Sequence, residues 1–269
     1  GLPMTMHDCF VFPAAPHLPA PDMPAVERWM LQERIILPAV GADVPAKALY
    51  ALSHAISCLP GANVPLVDAD WRTAADVVAT HVQAGDLPDA LRVNGDGSVE
   101  DCVKAIRDHG IALDDAWLFG EHAACTWFSP RYRAGPGMVR LYDPDRIGEI
   151  DHLSIVLFQI DAGEPPFVVF GAGTSAPTVP GEDTEREDFP PFGDYMDFVG
   201  AVYEDIHVDW VHPDSGRRYA LLDLDWEYSL GIGRCFIQFE DGSGYDLERF
   251  VQDLGDACGQ RMTYAHRLF

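Results

Sequence analysis

The sequence predicts an α+β fold, in which a helical N-terminal portion packs with a C-terminal antiparallel sheet of roughly five to seven strands and flanking helices. In the N-terminal part of the chain, apolar residues recur at helical spacing. Further along, short segments rich in β-branched and aromatic residues are bounded by Gly, Pro and Asp, a pattern typical of strands. Of the 269 residues, 48% are hydrophobic and 23% are charged, so the chain can bury a substantial core.

The N-terminal portion is predicted to contain four helices after a Pro-rich start. Residues 1–23 are expected to be extended or looping, because proline fixes φ and lacks an amide donor. Residues 24–125 are expected to be mainly helical. In the most clearly marked helix, Ser98 and Asp101 have the spacing of a capping box and Gly110 follows the last turn. The four helices are predicted within residues 25–36, 44–59, 68–85 and 97–110.

The C-terminal portion, residues 126–269, is predicted to form the sheet and two further helices. It is either a separate domain or continuous with residues 24–125. Residues 206–211 and 218–226 are expected to pair as a hairpin, because the Asp-Ser-Gly between them supplies a turn. The other strands are predicted within residues 137–143, 152–160, 166–173, 234–240 and 261–269, and the helices within residues 194–205 and 241–259.

The charge balance is the strongest global signal. The chain has 43 acidic and 18 basic residues, a net charge of -25. A field of this sign repels nucleic-acid backbones and anionic lipid, so we expect no nucleic acid and no membrane as partners. The sequence contains no run of about 18 apolar residues, so it predicts no membrane span. A basic protein partner, a bound cation and simple solubility remain as explanations. The sequence makes no prediction of oligomeric state.

Six cysteines are spread along the chain without a C-x-x-C pair. A chain of this length does not need a disulfide framework, and the spacing matches no zinc motif. We therefore expect reduced, mostly buried thiols without disulfides, and a cytoplasmic bacterial protein. Two Cys–His neighbours, His54 with Cys58 and His122 with Cys125, do not define a nucleophilic site. The small residues from Gly171 to Pro177 resemble a phosphate loop only weakly.

The stretch from His207 to Asp214 reads H-x-D-x-x-H-x-D. Imidazole and carboxylate groups are ligands for Zn²⁺ and similar ions, so the cluster is a candidate metal site. The competing interpretation is a solvated strand edge followed by a turn, and it is the one we favour, with no metal and no cofactor expected. The alternative metal ligands are His207, Asp209, His212 and Asp214.

An acidic row follows, since Asp223, Asp225 and Glu227 alternate with Leu222, Leu224 and Trp226. On a strand this alternation places the three carboxylates on one face. Such a row serves solubility, edge protection, a basic partner or, least often, a pair of catalytic carboxylates. The long polar loop before it adds further carboxylates.

These patterns predict a protein-binding module more than an enzyme. The concrete form is an immunity protein, a toxin inhibitor that neutralises a basic cognate toxin, with exposed aromatics beside the carboxylates as its strongest contacts. The alternatives are a metal-dependent hydrolase at residues 207–214, and a structural or regulatory protein of a phage or secretion system. The expected partner-binding residues are Asp223, Asp225, Glu227, Asp209, Trp210, Trp226, Tyr228, Glu185, Glu187 and Asp188.

Overall fold

The computed structural model describes residues 7–63, 70–91, 93, 95–141, 150–241 and 246–268. Within these residues seven α-helices and nine strands form an α+β fold, as the sequence predicts. The helices are α1 (Met23–Gln32), α2 (Ala46–Ser57), α3 (Ala74–Gln83), α4 (Val99–Asp108), α5 (Asp115–Phe119), α6 (Tyr195–Glu204) and α7 (Glu248–Cys258). The strands are β1 (His7–Pro13), β2 (Trp127–Phe128), β3 (Ser154–Gln159), β4 (Phe167–Val169), β5 (Asp209–Val211), β6 (Arg218–Ala220), β7 (Gly231–Gly233), β8 (Cys235–Glu240) and β9 (Met262–Leu268).

The main sheet has the order β2-β3-β8-β1-β9, and β4-β7 and β5-β6 form two small sheets. Strand β1 lies between β8 and β9 and is antiparallel to both, with Cys9 opposite Phe239 on one side and opposite His266 on the other. Its residues Cys9 to Pro13 are all buried. The Pro-rich start therefore contains an inner strand of the sheet rather than a loop alone, because HDCFVFP is apolar and aromatic and its proline comes last.

The chain divides into two compact units. The first comprises Gly1–Val26, Leu141–Asp143 and Leu157–Phe269, and the second comprises Glu27–Arg140 and Pro144–Val156. Residues just beyond position 125 belong to the second unit. For example, the amide of Gly135 donates to the carbonyl of Ile35 at 2.7 Å, and Tyr132 forms a β-bridge with Ile155.

Helices α2 to α5 enclose the core of the second unit. Leu52, Ile56, Val77 and Ile106 are almost fully buried in it. Capping boxes begin two of the helices, Thr73 with Asp76 at α3 and, as the sequence predicts, Ser98 with Asp101 at α4.

The segment 137–143 is not a strand where the structure describes it. Pro136–Leu141 is a 3₁₀ helix, and residues 142 and 143 lie outside the described residues. The reason is local: the amide of Gly137 donates to the carbonyl of Arg34 at 2.8 Å, and a Cβ at Gly137 would lie 2.1 Å from the carbonyl oxygen of Glu33. The close approach of two backbones needs glycine there and bends the chain out of strand geometry.

The hairpin between residues 206 and 226 forms, but it is shorter than predicted. Strands β5 and β6 are antiparallel with Trp210 opposite Tyr219. Beyond Ala220 the chain turns into a short 3₁₀ helix, because a carboxylate oxygen of Asp223 accepts the amide of Ala220 at 2.8 Å. Glu227 and Tyr228 then adopt positive φ angles of 51° and 60°, which ends any extended structure.

Candidate functional site

A high concentration of negative charge lies in residues 177–232, which we call the acidic lobe. These residues include fourteen carboxylates and three arginines. All fourteen acidic residues are exposed. The lobe has a hydrophobic core of its own, which includes Phe189, Phe198, Trp210 and Ile232. This core gives the carboxylates a packed base, so they are held on a surface rather than on a disordered tail.

Thr178 joins two of the predicted acidic segments. It forms β-bridges with Glu185 on one side and Asp225 on the other, and its amide and carbonyl both bond to Asp225 at 2.9 Å. Paired residues in a sheet direct their side chains to the same face. At about 4.8 Å between neighbouring strands, the Cα atoms of Glu185 and Asp225 are therefore about 10 Å apart. Two carboxylates separated by forty positions of sequence flank one threonine on one face.

The acidic row at residues 223–227 keeps its alternation without being a strand. Asp223, Asp225 and Glu227 are exposed, and Leu224 and Trp226 are buried. The row is not straight, because Asp223 caps a turn and Asp225 accepts the amide of Glu227 at 2.9 Å. The sequence therefore identified the two faces correctly, although the regular spacing along a strand is absent.

Two of the three aromatics expected to contact a partner are buried. Trp210 is 0% exposed and its indole donates to the carbonyl of Pro190, and Trp226 is 5% exposed and donates to the carbonyl of Leu221. Both belong to the core of the lobe. Tyr228 is 44% exposed, and its hydroxyl donates to Glu248. That hydrogen bond, together with partial burial, raises the pKa of Tyr228 to about 12.

The remaining predicted partner-binding residues are exposed at separate points of the lobe. Asp209 begins β5, opposite Ala220. Glu187 accepts the amide of Tyr195 on its carbonyl at 3.1 Å, and the carbonyl of Asp188 accepts the Arg186 side chain at 2.7 Å. Their backbones are engaged while their carboxylates face solvent.

The structure does not assemble the metal site considered at residues 207–214. His212 is 5% exposed, and both of its ring nitrogens are engaged: Nδ1 accepts the amide of Asp214 at 3.1 Å, and Nε2 donates to Glu182 at 2.8 Å. An imidazole in this state has no lone pair left for a cation. His207 and Asp209 are exposed, and the four side chains do not form a group of converging ligand atoms.

A different cluster of ligand-type side chains, which the sequence analysis missed, lies where β1 pairs with β9. Nδ1 of His266 is 2.9 Å from Sγ of Cys9 and 3.0 Å from Nε2 of His7. Cys9 is fully buried and the two histidines are half-buried. Burial and the neighbouring His7 lower the pKa of His266 to about 4. The H-x-C spacing at residues 7–9 could have indicated this cluster, because on a strand it places the two side chains on one face.

The second unit contains a Ser–His–Asp arrangement that was also missed. Oγ of Ser53 is 2.8 Å from Nε2 of His81, and Nδ1 of His81 is 2.7 Å from Asp86. These contacts match the order of groups in a hydrolase triad. However, Ser53 is 2% exposed and His81 is 0% exposed, so a substrate carbonyl cannot reach the hydroxyl. The arrangement is a buried hydrogen-bond network that links α2, α3 and the loop after α3.

The other motifs are engaged within the protein. Gly171 donates its amide to the hydroxyl of Thr174, and Ala172 donates to the carbonyl of Leu268, so this loop does not present its amides to a phosphate. Nε2 of His54 lies 3.9 Å from Sγ of Cys58 at the exposed C-terminal end of α2. The six cysteines are all thiols; three are buried, two are intermediate and Cys58 is exposed.

No protein-family model, no curated protein and no solved structure matches this chain. Among the described residues, no helix has the length and apolar composition that a bilayer crossing requires. Function must therefore be inferred from the residues themselves.

Proposed function

We propose that this chain is a binding protein that neutralises a basic protein partner through the acidic lobe. The observation that carries the proposal is the pair Glu185 and Asp225, held on one face by their shared bridges to Thr178. The lobe as a whole exposes fourteen carboxylates, these two included, against three arginines. A surface with this imbalance accelerates association with a basic partner and disfavours acidic ones.

Two of the three arginines of the lobe are held by contacts within the lobe rather than by ion pairs with Glu185 or Asp225. The guanidinium of Arg186 lies 4.9 Å from the ring centre of Trp210, and its Nε donates to the carbonyl of Asp188. Arg217 lies over the ring of Tyr219 in the hairpin. Arg186 is thus fixed by contacts inside the lobe, and the carboxylates beside it keep their oxygens available to lysines and arginines of a partner.

The partner surface that we propose comprises carboxylates and one aromatic residue. Tyr228 is the exposed aromatic beside the acidic row, and Trp210 and Trp226 support the surface from below. The residues assigned to the surface are Glu185, Glu187, Asp188, Asp209, Asp223, Asp225, Glu227 and Tyr228. The most concrete form of the proposal is a bacterial immunity protein that acts in the cytoplasm and inhibits a cognate toxin. The hydrolase alternative at residues 207–214 lacks support, because His212 has no nitrogen available for a metal.

The test compares two charge reversals of equal size. The first variant, Glu185→Lys with Asp225→Lys, changes the pair that flanks Thr178. The control, Asp253→Lys with Asp256→Lys, makes the same change on exposed positions of α7, where lysines near the helix C-terminus are tolerated. Each protein is immobilised, retained proteins are identified from cells of the source organism, and the activity of the retained protein is titrated with the soluble chain.

We expect the wild type and the α7 control to retain one protein rich in Lys and Arg and to inhibit it stoichiometrically, and the Glu185→Lys, Asp225→Lys variant to do neither. Equal retention by both variants, or no basic protein retained by the wild type, would contradict the proposal. Circular dichroism of the variants establishes that both are folded.

A further inference from the structure

The pairing of β1 with β9 brings three metal-ligating side chains to one face. Cys9 and His266 are directly opposite in the register, and His7 is two positions along β1 from Cys9. Residues directly opposite in a sheet share a face, and so do residues two apart on one strand. The backbone therefore directs one thiol and two imidazoles to the same place, and their ligand atoms all lie within 4.8 Å of one another.

Nδ1 of His266 is the atom that the other two ligand groups share. Nδ1 of His266 is at contact distance from both Sγ of Cys9 and Nε2 of His7. A ring nitrogen carries either one lone pair or one proton, so it can complete a linear hydrogen bond with only one of these two neighbours. A cation placed among the three atoms would interact with a lone pair of each at once.

We propose that His7, Cys9 and His266 form a Zn²⁺ site. A thiolate with two imidazoles is a ligand set that suits Zn²⁺, with Zn–S near 2.3 Å and Zn–N near 2.0–2.1 Å in tetrahedral geometry. Those bond lengths place the sulfur about 3.5 Å from each nitrogen and the two nitrogens about 3.3 Å apart. The observed separations of 2.9 Å and 3.0 Å therefore need to open by only about half an ångström, which small side-chain rotations provide.

The binding step is balanced by the release of one proton. The thiol proton of Cys9 passes to solvent as the sulfur binds the metal, and the two imidazoles bind as neutral groups, His266 through Nδ1 and His7 through Nε2. Three protein ligands leave the fourth tetrahedral position to water or to an incoming ligand. The half-buried histidines leave a path to this position, while Cys9 forms the buried floor.

The site has a structural consequence that does not depend on the proposed partner. It joins residue 7 to residue 266, so bound metal would tie β1 to β9 across nearly the whole sequence. Both ligand-bearing strands are paired only in the folded chain, so metal that binds this pairing stabilises the folded state by mass action. Zn²⁺ should therefore raise the melting temperature, and a chelator should lower it.

The experiment is a Co²⁺ titration of the untagged, chelator-treated protein, followed by competition with Zn²⁺. We expect one Co²⁺ per chain, with a thiolate-to-cobalt charge-transfer band and the intense visible bands of a tetrahedral site, all displaced by Zn²⁺. The variant His7→Gln should weaken Co²⁺ binding by about 100-fold. Loss of a residue that only supports a metal ligand already weakens metal affinity by up to about 100-fold, and His7 is itself a ligand. Cys9→Ser should remove the charge-transfer band.

The matched controls are His54→Gln and Cys58→Ser, which change a second Cys–His pair at exposed positions near the C-terminal end of α2. Both control variants should leave the Co²⁺ charge-transfer and visible bands unchanged. The proposal is overturned if the wild type shows no charge-transfer band, or if the band survives His7→Gln and disappears with Cys58→Ser. If the buried Cys9→Ser variant does not fold, His7→Gln and His266→Gln decide the question.

Discussion

Replacement of Asp86 by alanine tests whether the buried Ser–His–Asp network of the second unit supports the fold. One oxygen of Asp86 accepts a hydrogen bond from Nδ1 of His81 at 2.7 Å. The other oxygen accepts hydrogen bonds from the backbone and side-chain amides of Asn63 at 2.8 Å and 3.0 Å. The side chains of Asp86 and His81 are both 0% exposed. Alanine would leave the Nδ1 group of His81 buried without this acceptor.

The expected cost follows from these contacts. A buried donor left without its partner costs about 1–3 kcal/mol, whereas the exposed Asn63 amides regain water and lose about 0.5 kcal/mol each. We therefore expect Asp86→Ala to lower the free energy of unfolding by about 3 kcal/mol, which corresponds to a fall in melting temperature of roughly 10 °C for a unit of this size. Asp89 is exposed on the same loop, so the control Asp89→Ala should change stability by less than about 0.5 kcal/mol.

The assay is urea unfolding of both variants and the wild type, with hydrogen exchange to show which unit opens. Burial raises the pKa of Asp86, but the Asn63 and His81 hydrogen bonds outweigh it, so the pKa lies below its ordinary value of 3.8. The carboxylate therefore stabilises the fold at neutral pH, and this contribution is lost as the pH falls below 3.8. If Asp86→Ala is as stable as Asp89→Ala at pH 7, or if their difference does not narrow in acid, the network does not stabilise the unit as we describe.

Three further predictions concern stability, thiols and tyrosine. Trp210→Ala should destabilise the acidic lobe by about 3–5 kcal/mol, because this side chain is fully buried. Tyr203 is an exposed residue of α6, so Tyr203→Ala should cost less than about 0.5 kcal/mol, and equal urea midpoints of the two variants would contradict this. Burial raises the pKa of Cys102 to about 12 and that of Cys235 to about 11, so these thiols should react slowly at pH 8. A thiol reagent should react fastest with the exposed Cys58, and the variant Cys58→Ser should lose the fast phase of the labelling reaction. The phenolate absorbance of Tyr228 should appear only toward pH 12 and should shift to lower pH in Glu248→Gln; an unshifted titration in that variant would refute the hydrogen-bond explanation.

The elements that the sequence predicted well are those with a local physical cause. The capping residue Ser98 begins α4, because a side-chain acceptor at a helix start acts within three residues. The exposed and buried alternation at residues 223–227 also held, since burial depends on side-chain chemistry even where the backbone is irregular. The strand prediction for residues 137–141 failed because a close backbone contact with residues 33–35 overrode the apolar pattern of the segment.

The site residues were harder to predict, because they depend on distant pairing. Glu185 and Asp225 are brought together by Thr178, and no local sequence pattern around these three residues predicts the pairing. Cys9 and His266 are 257 positions apart and meet only through the β1–β9 register. Trp210 and Trp226 were expected at a surface beside carboxylates, yet the lobe buries them to form its own core.

The central claim is that the face around Glu185 and Asp225 binds a basic partner by electrostatic attraction. The most direct measurement is the association rate constant of the retained basic partner with the wild type, with Glu185→Lys, Asp225→Lys and with the α7 control, at several salt concentrations. We predict a fall of at least about tenfold for the first variant at low salt, little change for the control, and convergence of all three as salt screens the charges. Equal rates for the two variants at low salt, or rates that do not depend on salt, would contradict the account.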